Sequence, residues 1–298
     1  MKAVVTGSNG FVGRELMAHL AAAGDEVVGL DRAAGADVTD SGAIRDLLAR
    51  HRPEAVYHLA AVTHIGDSWS GPAQVFRVNA EGTLNVLLAA RDAGVERVLV
   101  VGSADEYGVV SDADLPLVEE APLRPVTPYG ASKVAAEYLA LQAFLGDKLP
   151  VIRVRAFNHT GAGQAGNFLV PSLARRIAAA EREDRKDVPV GSLEPVRDFL
   201  DVTDVVALYR LLLERGTPGE VYNVCSGIGR SVAEIAEALL ARARQPIELV
   251  PDPSLLRPVE VPRLVGDNTR ARAATGWSPS IPFDDTLAAV LDRWRKEA

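Results

Sequence analysis

Cysteine occurs once in the 298 residues, at Cys225. One thiol excludes an internal disulfide and any site built on several cysteines. It reads as a small buried hydrophobe in a reducing compartment. Runs of positive charge are lacking too: 32 Lys and Arg stand against 40 Asp and Glu, a formal charge of −8, with no block of cations to track a phosphate backbone. Nucleic acid is therefore not an expected partner, and the arginines have to be read one by one. No apolar run approaches the ~18 residues of a membrane span, and Met1-Lys2 leads within a few residues to Thr6-Gly7-Ser8-Asn9-Gly10 rather than to an apolar leader. A cytoplasmic protein with no membrane partner is expected. The five histidines have no spacing that favours a metal, so none is expected. Repeats and low-complexity linkers are also missing.

Apolar residues make up 48% and charged residues 24% of the chain, ordinary proportions for a globular protein. A chain of this length buries roughly 75% of its unfolded surface, so a substantial core is available. Short apolar runs at 3–5, 26–30, 55–59, 98–101 and 151–154 alternate with helical patterns at 12–23, 42–50, 75–93 and 129–145. Such alternation predicts an α/β fold, a doubly wound parallel sheet of the Rossmann type with helices on both faces. The runs are continuous rather than alternating, which fits burial on both sides. Beyond about residue 160 proline-marked turns break the pattern. A cofactor-binding domain is expected over 1–160, with later strands around 190–225 returning to it, and a smaller, interleaved substrate-binding domain over 161–298.

The first strand runs into Thr6-Gly7-Ser8-Asn9-Gly10-Phe11-Val12-Gly13 and then a helix. Gly7 would turn the chain, Gly10 would let backbone N–H groups approach a pyrophosphate, and Gly13 would let helix and strand pack closely. Asp31 follows Gly13 by 18 residues at the end of the next strand, where a carboxylate accepts both ribose hydroxyls of NAD. The neighbouring Arg32 would instead suit the 2′-phosphate of NADP, so NAD is favoured and NADP stays open. Asp37, beside Val38, reads either as a partner of the adenine amino group or as a plain turn acid.

Tyr129-Gly130-Ala131-Ser132-Lys133 sets a phenol and an ammonium four apart, on one face at a helix start. A cation about 4 Å from a phenol, at an effective dielectric of ~20, favours the phenolate by roughly 4 kcal/mol, or about three pKa units. Lys133, helped by oxidised nicotinamide, is therefore expected to bring Tyr129 towards neutral pH, where it gives or takes a proton. Together with TGSNGFVG, HLAA at 58–61, NAEGT at 79–83, YGASK and RDF at 197–199, this pattern resembles the extended short-chain dehydrogenase/reductase superfamily, in its nucleotide-sugar branch of NAD-dependent epimerases and dehydratases. The resemblance implies a catalytic trio of Ser103, Tyr129 and Lys133. It implies a structural tie at Asn79 near the cofactor, a packed or hydrogen-bonded His58, and a cofactor-lining segment Leu59-Ala60-Ala61.

Five further stretches, at 155–164, 190–202, 219–227, 256–262 and 275–279, resemble the members of this branch that reduce GDP-4-keto-6-deoxy sugars. By that resemblance Arg197 and Arg257 face the nucleotide diphosphate and ribose, Glu260 the ribose, Asn158 the sugar and first phosphate, and Phe168-Leu169 the nucleotide. In GSADEYG at 102–108, Ala104 and Asp105 stand where the branch's dehydratases carry a polar or acidic residue and a glutamate base. Alanine moves no proton, and Asp105 is a methylene short, so it is read as a contact to a substrate hydroxyl. The expected activity is reduction of a C4 ketone. A 4-epimerase, a 4,6-dehydratase and a non-catalytic NAD(P)-sensing protein are the alternatives, although a sensor typically loses the tyrosine or lysine and both are present. The helices at 75–93 and 129–145 are apolar enough to pack against a second copy, and the resemblance implies a homodimer formed through them.

Overall fold

The computed structural model describes residues 1–256, 259 and 261–297. In chain order its first half comprises β1 (Lys2–Thr6), α1 (Phe11–Ala22), β2 (Glu26–Leu30), α2 (Ser41–His51), β3 (Ala55–His58), α3 (Ile65–Ser70), α4 (Pro72–Phe76), a π-turn (Arg77–Glu81), α5 (Gly82–Asp92), β4 (Arg97–Ser103), α6 (Pro128–Leu145) and β5 (Val151–Ala156). The second half continues with β6 (Asn158–Thr160), α7 (Leu169–Arg182), β7 (Asp187–Val190), β8 (Val196–Asp201), α8 (Val202–Arg215), β9 (Val221–Val224), β10 (Gly229–Ser231), α9 (Val232–Leu240), β11 (Glu248–Pro251), β12 (Arg263–Leu264), α10 (Thr269–Thr275) and α11 (Phe283–Glu297).

Six strands form one parallel sheet in the order β2-β1-β3-β4-β5-β9. After β2 the chain crosses back over β1, so the order reverses between β1 and β3. Crevices for ligands open at the carboxyl ends of strands at such a reversal. One face of the sheet carries α1 and α8, with Leu16, Leu20, Val205, Leu208 and Leu212 buried against it. The other carries α2, α5 and α6 through Ile44, Leu48, Val86, Leu87 and Ala140. Strand β5 is buried along its whole length, and its Arg153 and Arg155 lie inside the protein.

The second half departs from expectation in one respect. Of the strands expected around 190–225 to return to the main sheet, β9 does so but β8 does not. Val196-Arg197-Asp198-Phe199-Leu200 has the residue pattern of a sheet strand, yet its partners are β10, β12 and β6 in a separate small sheet. Helices α7, α9 and α11 enclose a further core around Val170, Ile177, Ile235 and Leu291. Helix α8 nevertheless packs its apolar face on the main sheet. Full burial of a residue such as Leu208 or Leu212 contributes roughly 1.5–3 kcal/mol, so α8 and β9 bind the two halves firmly together.

Candidate active site

The loop between β1 and α1 is shaped by what it cannot accommodate. Gly7 has φ +71°, and a Cβ there would lie 2.9 Å from the backbone of Ala60. A Cβ at Gly13 would collide with the Gly7 carbonyl and with Ser8. Gly10 caps α1 without a side-chain hydrogen bond, and no acid stands in the helix's first turn. The opening N–H groups of this 12-residue helix therefore have no side chain over them, which fits a pyrophosphate. Asn9 is exposed, and its N–H donates to Asp31 Oδ2 at 3.3 Å, while Asp31 Oδ1 caps the turn that begins at Arg32. Arg32 is exposed beside it. A cavity of about 350 Å³ lies here, lined by Ser8, Asn9, Arg14, Met17, Gly29 and Asp31. These features fit a dinucleotide laid along the loop with its ribose at Asp31.

Other expected cofactor contacts have more structural employment than the sequence reveals. Asp37 Oδ1 accepts from both the N–H and the hydroxyl of Thr39, at 2.9 and 2.8 Å, which holds its carboxyl below the usual range as a turn acid. Val38 turns its side chain into the core, against the space left by Gly82, and offers its carbonyl to Asn85. Phe11 and Val12 pack on the core beneath α1, and the Phe11 ring stacks on His159 at 6.5 Å. Leu59, Ala60 and Ala61 line the end of β3, half-buried, with the Ala60 N–H tied to Thr6 Oγ1. His58 is bracketed by Thr6 at 2.8 Å and Thr83 at 2.9 Å; burial pushes its pKa down to about 3, so it is a neutral brace.

Asn79 lies within the π-turn that interrupts the long helical segment from residue 72 to 92. Such a turn displaces one residue from the regular helical array and is found where a side chain must be aimed. Asn79 Oδ1 accepts from Val62 N at 2.8 Å, and its Nδ2 donates to Val62 O and to Ser132 Oγ. Ser132 Oγ in turn donates to the Tyr129 carbonyl at 2.7 Å. The start of α6 is thereby tied to the loop after β3. Thr127 caps that helix through the Gly130 N–H, with Pro128 in its first turn.

Gly130 brings α6 against the turn after β4, because a Cβ there would lie 2.6 Å from the Asp105 carbonyl. This close approach sets Tyr129 beside Ser103. The Ser103 hydroxyl donates to Asp105 Oδ2 at 3.2 Å and accepts from the Asp105 N–H at the same distance. Lys133, almost fully buried, donates from Nζ to the Val101 carbonyl at 2.8 Å, and burial pushes its ammonium down to about 8. The sequence points to Lys133 and oxidised nicotinamide as groups that lower the Tyr129 phenol; the protein's own packing acts in the opposite direction. Burial, followed by the charge on Asp105, raises that phenol above its ordinary value, and the hydrogen bond with Ser103 only partly offsets this. The tyrosine is thus a firmly protonated acid.

Ser103, Tyr129 and Lys133 thus meet at the carboxyl end of β4, with the glycine loop at the same end of the sheet, on β1 beyond the intervening β3. The profile of the NAD dependent epimerase/dehydratase family matches residues 3–225. The chain belongs to this family. It is 39% identical to the GDP-6-deoxy-D-mannose reductase of Pseudomonas aeruginosa over 292 residues, covering 97% of this chain and 96% of that protein. It is 33% identical to the UDP-glucose 4-epimerase of Streptomyces lividans, covering 98% and 95%. Among solved structures, RMD from Pseudomonas aeruginosa complexed with NADPH superposes with TM-score 0.92 at 38% identity, covering 100% of this chain and 99% of that one. The Thermus thermophilus UDP-glucose 4-epimerase complex with NAD gives TM-score 0.89 at 29% identity, covering all of both chains.

Besides Ser103 and Asp105, the described residues expected to meet substrate are Asn158, Phe168, Leu169 and Arg197 of the second half. Asn158 is exposed on β6, opposite Phe199 of β8. Phe168 precedes α7 with its ring edge-on to His64 at 6.2 Å, and Leu169 opens that helix. Arg197, half-buried on β8, donates to the Val196 carbonyl at 2.9 Å and to the Pro262 carbonyl at 3.4 Å. Arg257 and Glu260 lie outside the described residues. Sequence reasoning overlooks two members of the site, Ser132 and Asp105 as partner of the Ser103 hydroxyl, while Glu106, which the sequence suggests either points away or supports the loop, is fully buried behind Ser103. Glu106 stands three residues after Ser103, the spacing of a capping box, and that signal is visible in the sequence.

Proposed function

We propose that the protein is an NAD(P)H-dependent reductase of nucleotide-linked 4-keto-6-deoxy sugars, acting on GDP-4-keto-6-deoxy-D-mannose to give GDP-D-rhamnose. A dinucleotide held along the glycine loop and at Asp31 would supply the hydride for the C4 carbonyl carbon. Ser103 donates a hydrogen bond to the C4 oxygen and holds it against Tyr129, whose phenol gives its proton as the alkoxide develops. A phenol kept protonated by burial and Asp105 suits this direction, since reduction begins with the acid form. Lys133 stabilises the phenolate left behind. Asp31 receives the ribose hydroxyls, with Arg14 and Arg32 near enough to make NADPH an acceptable donor.

The observation that carries this reading is Ala104. It is buried between Ser103 and Asp105, and it leaves the turn without the second proton-moving group that elimination across C5 and C6 needs. The carboxylate that follows is held by the Ser103 hydroxyl. Asn158, Phe168, Leu169, Arg197, Arg257 and Glu260 form the nucleotide-sugar side of the proposal, with residues 1–160 chiefly binding the cofactor and 161–298 the substrate. A cytoplasmic location and a homodimer are part of the proposal, the dimer because Phe76, Leu88, Tyr138 and Leu145 expose apolar side chains on α4, α5 and α6.

The test is incubation with NADH or NADPH and a panel of GDP-, dTDP- and UDP-4-keto sugars, with products determined by NMR. Consumption of reduced cofactor with formation of a 6-deoxy sugar nucleotide supports the reading. Unaided conversion of GDP-mannose to its 4-keto-6-deoxy derivative overturns it. A 4-epimerase is the second reading, favoured by the same Ser103–Tyr129–Lys133 grouping and by the likeness to UDP-glucose 4-epimerases. Interconversion of UDP-glucose and UDP-galactose without net use of reduced cofactor would establish it instead.

A further inference from the structure

Behind Ser103 lies a buried ionic cluster with one carboxyl more than its hydrogen bonds require. Glu106, on the turn after β4, and Glu137, on α6, are both buried, as are Arg153 and Arg155 of β5. Glu137 collects the arginine donors. Its Oε2 accepts from Arg155 Nε at 2.8 Å, and its Oε1 accepts from Arg155 Nη2 at 2.7 Å and from Arg153 Nη1 at 3.1 Å. The remaining Arg155 bonds go to the Tyr107 hydroxyl and the Glu119 carbonyl, and Arg153 also serves the Gly219 carbonyl. Glu106 receives none of these. Its Oε1 accepts from the Ser103 N–H at 2.7 Å, and Arg155 Nε stands 3.8 Å from its Oε2, beyond hydrogen-bond distance.

Glu106 Oε2 is buried with no donor among the described residues, and the group within hydrogen-bonding reach is another acceptor, the carboxyl of Glu137. Two carboxyls in such contact cannot both be ionised cheaply. With the arginines committed to Glu137, a proton between the two carboxyls belongs on Glu106. The space is also reserved for it: a Cβ at Gly102 would collide with Glu106 Oε1.

We propose that Glu106 is a positioning residue, an un-ionised carboxylic acid that accepts from the Ser103 N–H and donates its own proton to Glu137. It thereby fixes the catalytic serine without setting a negative charge behind Tyr129 and Lys133. The charged and titratable groups facing it are Arg153 and Arg155 from β5, Tyr129, Lys133 and Glu137 from α6, and Asp105 and Tyr107 from its own turn. Burial and the neighbouring Glu137 raise the Glu106 carboxyl well above its ordinary range. Burial would raise Glu137 as well, but hydrogen bonds from Arg155 hold it below. The effect on the reaction is indirect: Ser103 stays where its hydroxyl meets the reacting oxygen, and the field of Lys133 on the phenol is not cancelled from behind. This rests on the assignment of Ser103 as the hydroxyl that binds that oxygen.

The experiment compares Glu106→Val and Glu106→Gln with the parent enzyme across the pH range, alongside a measurement of Glu106 ionisation in the unmutated protein by ¹³C-carboxyl NMR. Valine removes the bond to the Ser103 N–H, and a displacement of about 1 Å can cost ~10²-fold in kcat, with a smaller change in KM. Glutamine keeps the acceptor for Ser103 and the donor for Glu137, so it recovers most of that loss with the parent's alkaline limb in the pH profile. A Glu106 signal that stays un-ionised across about pH 6–8 is expected. The proposal is overturned if Glu106→Val turns over like the parent, if Glu106→Gln shifts the alkaline limb or is as slow as Glu106→Val, or if the signal is that of a carboxylate. Should Glu106→Val not fold, the glutamine profile and the carboxyl spectrum decide. Should no keto sugar be reduced at all, the proposed activity fails while the spectrum still judges Glu106.

Discussion

The two halves of the molecule present hydrogen-bond donors by different means. The loop after β1 does so with backbone: absent Cβ atoms at Gly7 and Gly13, and helix N–H groups left without a side-chain cap. The second half offers side chains such as Arg197, proposed above to face a diphosphate, whose guanidinium rests on the carbonyls of Val196 and Pro262. A backbone site tolerates almost no change in its residues, because the atom added is always in the way. A side-chain site can be dismantled one charge at a time. Between them, Tyr129 and its neighbours belong to neither scheme, since their chemistry depends on a proton.

Substitutions can break that comparison. Tyr129→Phe should have the largest effect, lowering kcat by about 10²–10⁴-fold while the cofactor dissociation constant stays unchanged, because it removes the acid and leaves the glycine loop intact. Product formation by NMR and cofactor titration by fluorescence measure the two. Gly13→Val should come next: its side chain meets the Gly7 carbonyl, so cofactor affinity should fall by about 10²-fold, the ~3 kcal/mol at the upper end for a charge-assisted hydrogen bond. Equal affinity in this variant would remove the backbone account.

Arg197→Ala should raise KM for the nucleotide sugar by about 10-fold to 100-fold with little change in cofactor affinity, as expected for one charge-assisted hydrogen bond. An unchanged KM would place the diphosphate elsewhere. The pH dependence sharpens the part in between. Burial lowers the Lys133 pKa to about 8, so its ammonium is present below that value and is lost as pH rises through it. Reduction should therefore be steady at neutral pH and fall several-fold above about 8, with the limb displaced upward in Lys133→Arg. Smallest of all, Asp31→Ser should move the ratio of NADPH to NADH use by about tenfold, a change of ~1.4 kcal/mol, because one ribose acceptor is shortened while Arg14 and Arg32 remain.

The same contrast explains how much the sequence disclosed. The glycine loop, Asp31 and the phenol–ammonium pair were legible because local geometry dictates both spacing and residue type. So were the main strands: the expected run at 26–30 is β2 itself, and 98–101 lies within β4. The small sheet was not legible, since 196–201 reads as a strand wherever it pairs and nothing local names β10 or β12 as its partners. The direction of the Tyr129 shift escaped for a related reason. A lysine four residues away is visible in a sequence, whereas the burial of the phenol and the approach of Asp105 arise from packing α6 on the turn after β4. Asp37 and Val38 show the limit from the other side: the bonds of one to Thr39 and the core packing of the other arise from the fold and are not visible at short range.

The return of β9 to the main sheet, after α8 has already packed on it, means that the second half is not a detachable module. A lineage, or an engineer, cannot exchange everything after residue 160 as a unit, because the exchange would carry away an outer strand of the sheet and much of one of its two covering layers. Change in the second half has to come through its loops and single side chains, one position at a time.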